Sequence, residues 1–360
     1  MKSILKALLF SATLGVFTIS CNEPEVKENP VKNETVKTEV IDFMGEKVAV
    51  SLDFPKELLN QTNEEFKEYY FSLHQKKNLR TASDESVLSF EELGDIIAPV
   101  VAKYPDVSWE KDISDKDLRR IYKDFKSITT VEQVREKSEI IINFYDALIK
   151  EEVVPIIVEY KKTKKANGAR TMWDPEDPFD KMGPDEQSVA VNRPRYTIGY
   201  ITAAGQATNS SKNAGLGDNK IPTKANAMRH AMWNCFGIRN VILLGASEDT
   251  AVEYLRICTT YHELDDLGER KETVDEAMDL HNNMVGRTWM EEETGWGFAW
   301  ARKMPIEPRI VNTMQIRAER ALKYDDTASQ ISAIVGLQGG WEVLWNNKTG
   351  SQSELVYVVD

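Results

Sequence analysis

Residues 223–263 read TKANAMRHAMWNCFGIRNVILLGASEDTAVEYLRICTTYHE, and their reading decides the fold. Thr223 is an N-cap residue type, and the helix it opens carries Asn226, Arg229, His230 and Trp233 as far as Leu244, where Gly245 suits a helix stop. A second helix starts after Ser247, with Glu248 and Asp249 in its positive first turn, and runs through Val252, Tyr254, Leu255 and Cys258 to His262 and Glu263. So short a joint folds the two helices back as an antiparallel pair. His230 and His262 then each lie roughly 20 Å from the turn at about 1.5 Å per residue, side by side at one level. Cys235 and Cys258 come to similar heights, but their facing is open. They pair as a disulfide or stay as two buried thiols.

A third helix is expected from about Thr273 to Glu293, through MDLHNNMVGR at 278–287. Asp279, Asn282, Asn283 and Gly286 fall at i, i+3, i+4 and i+7, one continuous face. Gly286 allows another backbone or a ligand to approach closely. His281 is two residues from Asp279 and points to nearly the opposite side.

Three of the four histidines of the chain therefore sit in this C-terminal region, among carboxylates and amides. One reading is a metal site of His230, His262, Glu263 and either Asp279 or His281, since imidazole and carboxylate suit zinc and related divalent ions. No HExxH or other tight ligand spacing accompanies them. A second reading is a metal-free acid/base site, with His230 or His262 positioned by Glu263 or Asp279. The third is a buried polar network in which these side chains satisfy one another and lock three helices together. Asn226, Arg229, Trp233, Asn282 and Asn283 are the candidates to hold a substrate. Trp233, Trp289, Trp296 and Trp300 read as core residues, with Trp296 to Trp300 able to border a cleft. His74 reads as exposed. The sequence has no glycine-rich phosphate loop, no GxSxG elbow and no CxxC pair.

Upstream of this region, residues 41–54 alternate apolar and polar around Met44-Gly45-Glu46, the pattern of a small β-hairpin. Helical periodicity follows near 55–79, 88–104, 114–126 and 130–162. In the last of these Val131, Val134, Ile140, Ile141, Phe144, Leu148 and Ile149 form one stripe, and Glu151, Glu152 and Pro155 mark a break or kink. Residues 163–182 are rich in Lys, Gly, Pro and Asp and are expected to link a helical N-terminal domain (41–162) to the motif-bearing helical domain (183–348). Helix resumes at Pro184, a loop covers Asn209 to Asn219, and 349–360 form a tail or short strand. The fold class is mostly α.

At the N-terminus, Lys2 and Lys6 precede an apolar run from Ala7 to Ile19 that is short for a membrane span. It ends Thr18-Ile19-Ser20-Cys21, which resembles the lipobox of bacterial lipoproteins. That resemblance implies a signal peptide at 1–20, lipid on Cys21, and a protein held at a bacterial membrane in the cell envelope. Residues 22–40 are polar, charged and proline-containing, so 21–40 read as a disordered tether. A formal net charge of −13 argues against non-specific nucleic-acid binding, which needs Lys and Arg to neutralise phosphates. Membrane attachment is then expected from lipid rather than from basic patches.

The order NAMRHAMW, HE, MDLHNNMVGR also resembles an uncharacterised bacterial domain found in lipoproteins and at the C-terminal ends of wall-associated and polymorphic-toxin-like proteins. The resemblance covers about residues 183–345. It implies that Arg229, His230, Trp233, His262, Glu263, Asp279, Asn282, Asn283 and Gly286 belong to the domain's motifs, with His281 at a tolerant position and Asn226 where an acid is frequent. The toxin-like context implies enzymatic activity on an envelope component. The resulting expectation is a lipid-anchored hydrolase with His230 and His262 as base or ligands, Glu263 and Asp279 as their partners, and Arg229 or Asn283 on the substrate. The alternative is a binding or structural lipoprotein whose polar cluster serves stability.

Overall fold

The computed structural model describes residues 37–75, 87–166, 181–265, 268–294 and 303–359. The expected signal peptide, Cys21, the tether up to residue 36, the core of the 163–182 linker and Trp296 to Trp300 lie outside these residues, as does the side chain of His74.

A hairpin opens the described chain, β1 (Thr38–Phe43) pairing antiparallel with β2 (Glu46–Ser51). Its two turn residues, Met44 and Gly45, have φ of 51° and 83°. Positive φ at both centres matches the right-handed twist of the strands they join. Helices follow: α1 (Asn63–Gln75), then, after the short strand β3 (Leu88–Ser89), α2 (Phe90–Val101), α3 (Asp115–Asp124), α4 (Val131–Glu136) and α5 (Ser138–Ala166). The expected single segment at 130–162 is thus two helices. They part at Lys137, whose φ and ψ of −105° and 19° leave the helical range. α5 runs on through Pro155, where the sequence suggested a break or kink, so the helix is not broken there.

After β4 (Lys181–Met182) come α6 (Pro184–Asn192), α7 (Pro194–Lys212), α8 (Lys224–Leu243), α9 (Glu248–His262), α10 (Val274–Glu293) and α11 (Glu307–Glu319). The chain ends with β5 (Leu322–Lys323), α12 (Ala328–Leu337), α13 (Trp341–Asn346) and β6 (Val356–Tyr357), β6 lying parallel to β5. α7 reaches Lys212, so the expected loop at 209–219 begins only after it.

The expected caps are in place. Thr223 Oγ1 accepts from Asn226 N, Ser247 Oγ from Thr250 N, and Thr273 forms a reciprocal capping box with Glu276. Gly245 stops α8 at φ 114°, which only glycine adopts without strain.

Helix α8 is the axle of the fold. It packs against α7, α9, α10 and α11, and residues Ala225 to Ile238 are buried without interruption. A helix buried on all sides lacks a clean polar stripe, so its polar residues must find partners inside. The largest apolar core runs across both halves of the chain, from Phe43 and Phe144 to Trp233 and Met290. α2 packs on α7, α1 on α6, and α5 on α6 and α7, while β3 pairs with β4 across the segment expected as a linker. Residues from Thr38 onward form one compact unit. A smaller cluster joins Met278, Leu280 and Met284 of α10 to Ile334, Leu344, Trp345 and Val356. Among the described residues no helix is long and apolar enough to cross a membrane.

Candidate functional site

Helices α8, α9 and α10 bring three groups together: His230, Glu263 immediately after α9, and Asp279. One ligand-type atom from each lies within 4.8 Å of the others. His230 Nε2 is 3.1 Å from Asp279 Oδ1, and Nδ1 is 3.6 Å from Glu263 Oε1. The His230 side chain is sealed, while Glu263 and Asp279 keep 8% and 15% of their side-chain surface. The three sides of the cluster are thus closed by helices, and what solvent contact remains is on the carboxylates.

Asn283 holds the arrangement. Its Nδ2 donates to Glu263 Oε1 at 3.1 Å, and its Oδ1 lies 3.3 Å from His230 Nδ1. Asn234 Nδ2 donates to the same Oδ1 at 2.8 Å, which fixes that atom of Asn283 as the acceptor. Arg287 in turn donates to Asn234 Oδ1 and to Thr259 Oγ1, and its Nε donates to the Lys348 carbonyl. A buried chain of donors and acceptors therefore runs from Arg287 through Asn234 and Asn283 to the edge of the cluster. With both neighbours of Nδ1 being acceptors, Nδ1 carries the ring hydrogen, and Nε2 presents its lone pair to Asp279.

The electrostatics follow from enclosure. Burial holds His230 well below the usual imidazole range, and Arg229 and His262 push it further down. Burial lifts Glu263 well above the usual carboxylate range, with repulsion from Asp279 adding to it. Asp279 is also lifted well above that range by burial, against the opposing pull of Arg229. Such opposed displacements in a closed site occur at reacting groups and in buried structural networks alike.

The other candidates separate from this centre. His262 is turned to a different carboxylate, its Nδ1 3.0 Å from Glu186 Oε2, and Glu186 Oε1 accepts from Tyr200 at 2.6 Å. Trp233 packs edge-on against the His262 ring at 4.9 Å and stacks on Tyr200, deep in the core. Arg229 is buried near Asp279, close enough for its charge to act on it. Asn226 sits at the start of α8 and donates to the Asn219 carbonyl. Asn282 leaves the cluster altogether and pairs with the Val356 backbone, donating to its carbonyl at 2.9 Å and accepting from its N–H at 3.0 Å. His281 donates from Nε2 to the Glu354 carbonyl at 2.9 Å.

The expected continuous face of α10 is therefore split. Asn282 and Asn283 are about 100° apart around the helix, far enough to fall on either side of the α8 contact line. Gly286 does permit a close approach, by backbone: an added Cβ would stand 2.3 Å from the Ala231 carbonyl oxygen. Cys235 and Cys258 are free and buried, with Cys235 Sγ 3.4 Å from the Gly286 carbonyl.

Glu186, Asn234, Thr259 and Arg287 were not singled out from sequence. A buried amide in the middle of α8, with apolar neighbours, is the signal that Asn234 offered. Glu186 offered none, because its acidic first-turn position at Pro184-Asp185-Glu186 already had a local explanation.

No curated protein and no solved structure matches this chain. Residues 187–314, which carry His230, Glu263, Asp279 and Asn283, match the model of the family described as Domain of unknown function (DUF6973).

Proposed function

We propose that the 187–314 region is the hydrolytic domain of a lipid-anchored envelope protein, acting on an envelope or extracellular substrate. The observation that carries this reading is the closed His230, Glu263 and Asp279 set, held in one geometry by Asn283 and by the donor chain behind it. Groups fixed in this way suit activation of a water molecule: a neutral imidazole and two carboxyl groups share the cluster, so a proton can be taken and returned within it. Arg229, beside Asp279, suits an anionic or strongly polarised substrate. Lipid on Cys21 and the polar segment behind it would hold the domain near its substrate.

A second reading draws support from the run Arg287, Asn234, Asn283, whose members are all fully buried. In that reading the cluster is a helix-locking network with no chemistry. The test compares the wild-type protein with Asp279→Asn on isolated envelope material, following released products by mass spectrometry. Products that appear with wild type and vanish with the variant, at unchanged melting temperature, support hydrolysis. Equal product profiles, with a large fall in melting temperature, favour the network. For the anchor, Cys21→Ser is expected to abolish incorporation of labelled fatty acid and to release the protein from the membrane fraction.

A further inference from the structure

At the centre of the cluster an imidazole nitrogen faces a carboxyl oxygen. His230 Nε2 and Asp279 Oδ1 are 3.1 Å apart, and Nδ1 of the same ring is already turned to Asn283 Oδ1 and Glu263 Oε1, both acceptors. Asp279 Oδ1 is buried and has no hydrogen-bond donor. A cation placed there would meet the ring nitrogen and the carboxylate at once. Glu263 brings a second carboxylate to the same point, within 4.8 Å.

We propose that His230, Glu263 and Asp279 hold one first-row divalent cation, zinc foremost, with His230 Nε2 and the two carboxylates as its protein ligands. The inference rests on the proposed hydrolytic reading for the place of the site and not for the reaction. The kind and number of the ligands select the cation, and their surroundings support its site. The donor set, one imidazole and two carboxylates, is the mixed nitrogen and oxygen set that zinc, manganese and ferrous iron accept. Three protein ligands leave a coordination position for water, as catalytic sites do and structural sites do not. Calcium, which takes about 6–8 oxygens, would be badly under-coordinated. The surroundings also have the form expected behind a metal site: Nδ1 of the ligating ring and Oε1 of Glu263 both meet Asn283, itself anchored by Asn234. His262 lies outside the set, because its Nδ1 is held by Glu186.

The experiment uses the full chain purified without chelator. Elemental analysis is expected to find about one equivalent of zinc, manganese or iron. After stripping with chelator, titration with zinc is expected to raise the melting temperature and give a saturable one-site isotherm. Asp279→Asn, close in shape to the native residue, is expected to weaken zinc binding by at least about 100-fold, and Asn283→Ala by about 10–100-fold. His262→Gln is expected to leave it within about 3-fold, as a residue outside the ligand set should. Absence of stoichiometric metal together with no thermal response to zinc or manganese overturns the proposal. So does a zinc affinity that Asp279→Asn leaves intact in a folded variant. Metal binding without product release from envelope material supports this inference while removing the hydrolytic reading. Product release by a metal-free protein does the reverse.

Discussion

On one side of α10, His281 donates to the Glu354 carbonyl and Asn282 closes a two-bond pair with the Val356 backbone. A third of a turn away, Asp279 and Asn283 face His230 and Glu263, where titratable groups crowd against one another. The first side takes its bonds from backbone groups of the C-terminal segment. The second sets two carboxyl groups against one imidazole. Burial alone therefore does not separate structure from site in this protein, since His230 and Asn283 are as deeply buried as His281 and Asn282. What separates them is the kind of group each side meets: backbone carbonyl and N–H groups on the first, titratable side chains on the second.

The strongest way to break this comparison is to force the two helices apart. Gly286→Ala puts a methyl group against the Ala231 carbonyl, a backbone atom that cannot swing aside. It is expected to cost about 3 kcal/mol or more, read as a lowered denaturation midpoint, and to disable both sides of α10. A result under about 1 kcal/mol would mean that α8 and α10 are not packed as described.

On the first side, acid acts through His281. Burial holds His281 down to about 4, so the folded protein keeps it neutral where the unfolded chain would protonate it. Its stabilising contribution is full above the ordinary imidazole value, and is lost as the pH falls through that value towards 4. The loss amounts to roughly 3 kcal/mol at most. His281→Gln is expected to flatten that part of the stability profile measured by denaturant titration between pH 7 and 4. An unchanged slope would place the pH response elsewhere.

Asn282→Ala strands the buried Val356 N–H and carbonyl and is expected to cost about 2–3 kcal/mol. Its metal content and product profile should scale with the folded fraction and no further. The smallest effect belongs to the crowded side. Asp279→Asn relieves repulsion at Glu263 and is expected to change the stability of the metal-free protein by less than about 1 kcal/mol, with either sign, while abolishing function. Should Asp279→Asn prove more damaging to folding than Asn282→Ala, the contrast between the two sides collapses and the network reading gains.

How much of this was legible in the sequence depended on range. Thr223, Gly245, Ser247 and Thr273 announce helix ends through bonds made within a few residues, and all four act as expected. Helix arithmetic set His230 beside His262, rings that turn to different carboxylates, and excluded His281 from the side that carries Asp279. It placed Asn282 with Asn283, because spacing along one helix is blind to where the neighbouring helix makes its contact line. It assigned His262 to Glu263 or Asp279, since Glu186 enters from a helix more than 70 residues away. Of the break or kink read at Pro155, the break does not occur: the packing of α5 against α2, α6 and α7 outweighs one missing backbone bond.

The supports of α10 are late arrivals. Arg287 waits for Lys348, His281 for Glu354 and Asn282 for Val356, at separations of 61, 73 and 74 residues. Loops of that length close slowly, because their entropy must be lost before the bonds that reward closure can form. A chain emerging N-terminus first can assemble α8 and α9 against the earlier helices while α10 still lacks its backing strand. Arg287 reaches Asn283 through Asn234, so the same delay extends to the His230 cluster. Its backing is complete only once residues 348–356 have been delivered.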